Sequence, residues 1–167
     1  MPESGDRITV PVSQEEAWDF AADVRNAPRW VFGVREVAGD LRHPLLPGDR
    51  IKIRLVAGGR IADSEWAVGR CERPDVLSST GRALGATATL QIECSALGPN
   101  STEVRYHLAY QLPGGPLGVL AARLGVQGIL DVQAKRSLRS LHRLLTTGVR
   151  AQPGQPGQLE PGGSRPQ

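Results

Sequence analysis

The stretch DRIKIRLVAGGRIADSEWAVGR, residues 49–70, constrains the fold more than any other part of the chain. Ile51, Ile53 and Leu55 alternate with Arg50, Lys52 and Arg54. Beyond Gly58 and Gly59, Ala62, Ser64, Trp66 and Val68 alternate with Asp63, Glu65 and Ala67. A period of two is the signature of a half-buried strand, and two glycines suit a tight hairpin. Paired across that turn, the strands set an acidic row against a basic row on the wet face and put Trp66 beside the isoleucines. Such cross-strand pairs contribute a few tenths of a kcal/mol to about 1 each. A slip of one residue would turn every side chain over, so the register is strongly specified.

The same period recurs downstream. VLSSTG reads as a further strand after the Arg73–Pro74 turn. In ATATLQIECSAL, Ala88, Leu90, Ile92 and Cys94 fall on one face. In STEVRYHLAYQL, Val104, Tyr106, Leu108 and Tyr110 do the same. Upstream, a short strand is expected over Arg7–Val12, followed by a helix with Ser13 and Glu16 as a capping box. Ala17, Phe20, Ala21 and Val24 give that helix its apolar face, and Asn26 and Pro28 end it before Trp30. Pro113–Pro116 close the sheet and open a long helix ending near Gly148. The order is one strand, one or two short helices, six strands and a long helix. Tight turns between strands argue an antiparallel meander whose apolar face needs a cover, and only the last helix is long enough to supply it.

Composition narrows the class. The 167 residues suit one domain, and a hydrophobic content of 40% is ordinary for a soluble protein. Residues 149–167 are rich in Pro and Gly with little to bury, and read as a disordered tail after a folded domain over 6–148. A net charge of +3 gives no argument for nucleic acid. The polar N-terminus has no signal-peptide pattern, and no segment is apolar enough for stable membrane insertion, so a cytoplasmic location is expected. Cys71 and Cys94 have no metal spacing and read as buried free thiols. His43, His107 and His142 are scattered, so no metal site is expected.

The final helix poses the functional question. Leu117, Leu120, Leu124, Ala134, Leu138, Leu141 and Leu145 form an apolar stripe, and Gln127 and Asp131 interrupt its middle. Either this part of the stripe faces something other than a close-packed core, or Asp131 lies at the rim and pairs with Lys135 at i+4. In the first case Asp131 is a candidate general acid or base. Arg136, Arg139 and Arg143 share the outer face, which suits solvent or an acidic partner surface.

The ordered set of landmarks resembles the START-like superfamily, also called SRPBCC or polyketide cyclase/dehydrase-like. The first strand running into SQEEAWDFAADV, with Trp18 and Asp23, is similar to that family's opening. Trp30 stands where the family has a Trp after that segment, and EWAVGRCERPDVL, GPNSTEVRYHL and RSLRSLHRLL match the hairpin, last strand and helix end. The resemblance implies an α+β helix-grip fold, a curved antiparallel sheet wrapped around a long C-terminal helix with a central cavity. It implies a small hydrophobic or aromatic ligand and no cofactor. Asp131 and Tyr106 are then the candidate catalytic residues, and Trp66, Gln127, Tyr110, Leu90, Ile53 and Trp30 the candidate ligand-binding residues. A polyketide cyclase or dehydratase and a non-catalytic carrier or sensor both fit, as monomer or homodimer.

Overall fold

The structure is a computed structural model that describes residues 3–57, 59–83, 85–112, 114–116, 118–119 and 126–148. Seven antiparallel strands form one sheet: β1 (Glu3–Val10), β2 (Val34–Gly39), β3 (Arg50–Ala57), β4 (Arg60–Glu72), β5 (Val76–Ala83), β6 (Ala86–Gly98) and β7 (Ser101–Gln111). Their spatial order is β1-β7-β6-β5-β4-β3-β2, so β2 to β7 form a meander and β1 joins its far edge beside β7. Among the described residues, α-helices run over α1 (Gln14–Ala21), α2 (Ala27–Trp30) and α3 (Val126–Thr146). A seven-strand sheet closed over a C-terminal helix is the helix-grip arrangement.

The hairpin registers follow the alternation of the sequence. Lys52 stands opposite Glu65, and Arg54 opposite Asp63. Arg50 reaches Glu65 at 2.9 Å, while Arg54 holds Asp63 at 2.9 Å and Glu36 of β2 at 2.8 Å. These charges lie in solvent, where each pair contributes at most about 1 kcal/mol, so their main role is register. Bulges at Val34/Glu36, Val68/Arg70 and Ala96/Gly98 interrupt the ladders and bend the strands.

The first strand begins earlier than its sequence suggests. It covers Glu3–Val10 and not Arg7–Val12, because Glu3 to Asp6 pair with Ala109 to Tyr106. Backbone pairing to a long neighbour does not require an apolar alternation. Pro11 has no N–H to extend the ladder, which ends the strand. Ser13 then caps α1, its hydroxyl accepting from the Glu16 N–H at 3.2 Å. The helix stops at Ala21, and Val24 belongs to a separate 3-10 turn capped by Asp23.

Helix α3 runs chiefly along β1, and also touches α2 and β7. Ala134, Leu138 and Leu141 of its stripe are buried, and Gly148 follows its end at φ +66°. Leu117, Leu120 and Leu124 lie outside the described residues, as do the 149–167 tail and the side chain of Gln127. The α2–β2 loop is tied to α3 through one residue. The Phe32 N–H donates to Ser137 Oγ at 2.9 Å, and the Phe32 carbonyl accepts from Gln133 Nε2 at 3.1 Å. Arg136 lies 4.9 Å over the Phe32 ring.

Candidate functional site

The concave face of the sheet is a set of rows running across the strands. One row, nearest the β3–β4 and β5–β6 turns, is Ile51, Trp66, Gly81, Ala88 and Tyr110. The next is Val68, Ser79, Leu90, Leu108 and Ser4. A third is Cys71, Leu77, Ile92, Tyr106 and Asp6. The alternation read from the sequence placed Ile51, Trp66, Val68 and the β6 and β7 residues on this face, but assigned no face to Cys71, Leu77, Ser79 or Gly81 or to the β1 residues.

The rows are not filled alike. Toward α1 the interior is close-packed by Trp18, Val10, Val104, Leu138 and Leu141, all at 1% exposure or less. Toward the turns the floor is small, made by Ser64, Gly81 and Ala88. There Ile53, Leu55, Ala88 and Leu90 point inward yet stay half-buried. Apolar side chains that face a sheet's concave side without being closed off mark room beside them.

Trp66 is fixed at the boundary. Its indole Nε1 donates to Ser64 Oγ at 2.9 Å, and that hydroxyl donates to the Ile53 carbonyl at 3.1 Å. Tyr110 closes the other end of the same row. Burial, and then the negative charge of Asp131, push its phenol above the ordinary value, so Asp131 lies within electrostatic reach of Tyr110. Asp131 is half-buried, and no ion pair joins it to Lys135 among the described residues. The rim pairing with Lys135 is therefore not made. The influence of Asp131 on a β7 tyrosine, 21 positions away in sequence, has no signal in local spacing.

Tyr106 and Trp30 sit deeper. Trp30 is 2% exposed and meets the Tyr106 ring edge-on, with centroids 5.9 Å apart. Burial alone drives the Tyr106 phenol well above its usual value, so it stays protonated at any ordinary pH. Trp30 Nε1 and Ser4 Oγ are buried without a hydrogen-bond partner among the described residues. The interior thus contains polar points that a bound molecule or water has to satisfy. Two surface grooves of about 490 and 460 Å³ open elsewhere, the first reached by Ile53 and the second by Trp30. Neither contains Asp131, Tyr106 or Tyr110, and of the charges around the first, Arg54 pairs with Glu36 and Asp63, and Glu65 with Arg50.

Asp19 is held below the ordinary carboxylate range chiefly by Arg73, with His43 at 3.2 Å adding to the effect. Burial pushes the Cys94 thiol up to about 12 and raises Cys71, which suits inert free thiols. Among the described residues no three His, Cys, Asp or Glu side chains are grouped to hold a metal. No described helix is long and apolar enough to cross a membrane.

Solved structures repeat this architecture. The Zhui aromatase/cyclase from Streptomyces sp. R1128 superposes with a TM-score of 0.71 at 14% identity, over 89% of this chain and 96% of that one. The di-domain ARO/CYC BexL from the BE-7585A biosynthetic pathway gives 0.70 at 19% identity, over 90% of this chain and 48% of BexL. A START superfamily protein from Mycobacterium smegmatis gives 0.56 at 16% identity, over 82% and 98%. These similarities establish the fold. A search of curated proteins finds no match. The family model described as polyketide cyclase / dehydrase and lipid transport matches residues 1–146, and the chain belongs to that family.

Proposed function

We propose that the chain binds a planar hydrophobic or aromatic molecule over the small-residue part of the concave face, and acts on it by acid–base chemistry. The observation that supports this reading is a half-buried carboxylate on α3, Asp131, whose negative charge acts on the buried Tyr110 of the concave face. A carboxylate and a phenol on facing elements supply a proton acceptor and a proton donor without a cofactor. In a dehydration of a β-hydroxy ketone the Asp131 carboxylate would take the α-proton, a C=C bond would form as the C–O bond breaks, and the Tyr110 phenol would protonate the departing hydroxyl, which leaves as water. Tyr110 takes the role that the sequence offered to Tyr106, because Tyr106 is enclosed against Trp30 with no charged neighbour acting on it. Trp66, Leu90 and Ile53 supply apolar wall. The aromatase/cyclase neighbours favour a polyketide-like substrate. The alternative, a carrier or sensor, needs only the walls.

Two substitutions separate the readings, with polycyclic phenols as probes and tryptophan fluorescence as the signal. Asp131→Asn keeps the shape and removes the base. An enzyme retains binding in this variant and loses at least a hundredfold in turnover; a carrier changes only in affinity. Asp131→Leu extends the apolar stripe, and stability should hold or rise, since no ion pair is lost. Parent-like binding and turnover in both variants would remove Asp131 from the site.

A further inference from the structure

We propose that the outer side of α3, with the α2–β2 loop beside it, docks the protein reversibly on an anionic lipid surface. Ala134, Leu138 and Leu141 of α3 are buried in the core. The opposite side of the helix carries Ile129, Val132, Arg136, Arg139 and Arg143, all exposed. They follow one another at spacings of three and four, which brings them into one strip. Phe32 widens the strip. Its backbone is held by Ser137 and Gln133, and its ring lies beneath Arg136. Phe32, Val132 and Ile129 keep 47%, 47% and 56% of their surface in water. Apolar side chains exposed singly are ordinary, but three beside one another mark a contact surface.

The charge around these apolar tips has one sign. Arg29 and Arg35 line the groove of about 460 Å³ together with Phe32 and with Ser140 of α3. None of Arg29, Arg35, Arg136, Arg139 and Arg143 holds a carboxylate among the described residues. Arg50, Arg70, Arg73 and Arg105, on the sheet and its turns, each hold one within 2.9 Å. Helix α3 has no Asp or Glu after Asp131, and Asp131 is half-buried. The cations are spread along two turns of α3 and across the loop, which suits a layer of headgroups and not a single bound anion. Such a layer has negative charge at its surface and hydrocarbon just beneath. Arginines beside apolar tips match both parts at once. An acidic protein surface would answer the arginines and leave the three apolar tips against polar groups. Three side chains give a shallow hold, so the docking is reversible.

Co-sedimentation of the full chain with phosphatidylcholine vesicles, with and without about one-third phosphatidylglycerol, tests the proposal. The protein should pellet with the anionic vesicles and stay in solution with the neutral ones. It should be released at about 1 M salt, where the screening length is about 3 Å. The double variant Arg139→Glu and Arg143→Glu should bind at least tenfold more weakly, since each cation near such a surface strengthens binding about fivefold. The double variant Ile129→Ser and Val132→Ser should bind at least threefold more weakly and still prefer the anionic vesicles. All four side chains are exposed, so both variants should fold. Equal pelleting with both vesicle types, no pelleting with either, or parent-like binding by either double variant would overturn the proposal. A parent that ignores vesicles yet binds poly-L-glutamate, with that binding lost in the arginine variant, would overturn it as well and give this face to an acidic protein.

Discussion

The two ends of the concave face are furnished from different elements and are filled differently. Toward α1, Trp18, Val10, Val104, Leu138 and Leu141 are sealed at 1% exposure or less. Toward the hairpin turns β4, β5 and β6 carry Ser64, Gly81 and Ala88, and inward-facing Ile53 and Leu90 stay half-buried. One end holds the fold together by close packing; the other is lined by small side chains and is less completely buried. A chain that needs an internal site can therefore keep stability and binding on separate rows of one sheet.

Substitutions at the packed end should have the largest effects and should act on stability alone. Leu141 is fully buried. Leu141→Ala removes apolar contacts and leaves a cavity, at about 2–5 kcal/mol. Chemical denaturation would show a lower midpoint with an unchanged slope. Ala134, at 1% exposure, tests the same end from the other side. Ala134→Leu overpacks it and should cost about 1–3 kcal/mol. A loss under about 0.5 kcal/mol for either would mean that this end is not close-packed.

A smaller effect, with a defined pH dependence, is expected where the packed end is tied to its loops. Arg73 grips both oxygens of Asp19, each at 2.8 Å, and His43 bonds the same carboxylate. Because Arg73 lowers the Asp19 pKa in the folded state, the folded protein favours the ionised carboxylate more than the unfolded chain does. The contribution is complete above the unfolded value of about 3.9 and is lost as pH falls through the folded value. Asp19→Asn should cost about 1 kcal/mol at pH 7, since the pair is half-exposed. The gap between variant and parent should close below about pH 3. A gap that persists in acid would assign the loss to shape and not to charge.

The sequence made the sheet legible because period two carries its own register. Lys52, Arg54, Asp63 and Glu65 on the outer face, and Trp66, Ile92, Tyr106 and Tyr110 on the inner one, follow from alternation alone. The polar break at Asp131 in an apolar helix stripe was also readable as a candidate site, with the inward tyrosines of β7 as its candidate partners. That the charge of Asp131 acts on Tyr110 follows from the placement of α3 against β7, which no local spacing encodes. The same holds for the hold of Gln133 and Ser137 on Phe32, and for Asp19, His43 and Arg73, which come from α1, a loop and the β4–β5 turn. Gly81 looked like any strand glycine. That the Trp66 ring lies over it is a property of the paired strands. The small floor itself was visible as Ser64 and Ala88 but had no meaning until the rows were assembled.

The smallest stability change, and the sharpest test of the two-ended reading, belongs to Ala88→Leu. Ala88 faces the interior between Gly81 and Tyr110 and is half-buried. If space lies above it, three added carbons and their hydrogens enter that space without displacing a packed neighbour. They then cover Trp66 and Tyr110 with apolar surface, which offsets the lost rotamer freedom of the new side chain. The midpoint of unfolding should shift by less than about 0.5 kcal/mol in either direction, against about 1–3 for Ala134→Leu at the packed end. Binding of a polycyclic phenol such as 1-hydroxypyrene should fall at least tenfold if the ligand lies over the small-residue floor, because the leucine covers it. Equal destabilisation at positions 88 and 134 would show that both ends are packed alike, and would leave no room in the interior for a ligand. Unchanged stability with unchanged probe binding would keep the space and move the ligand away from it.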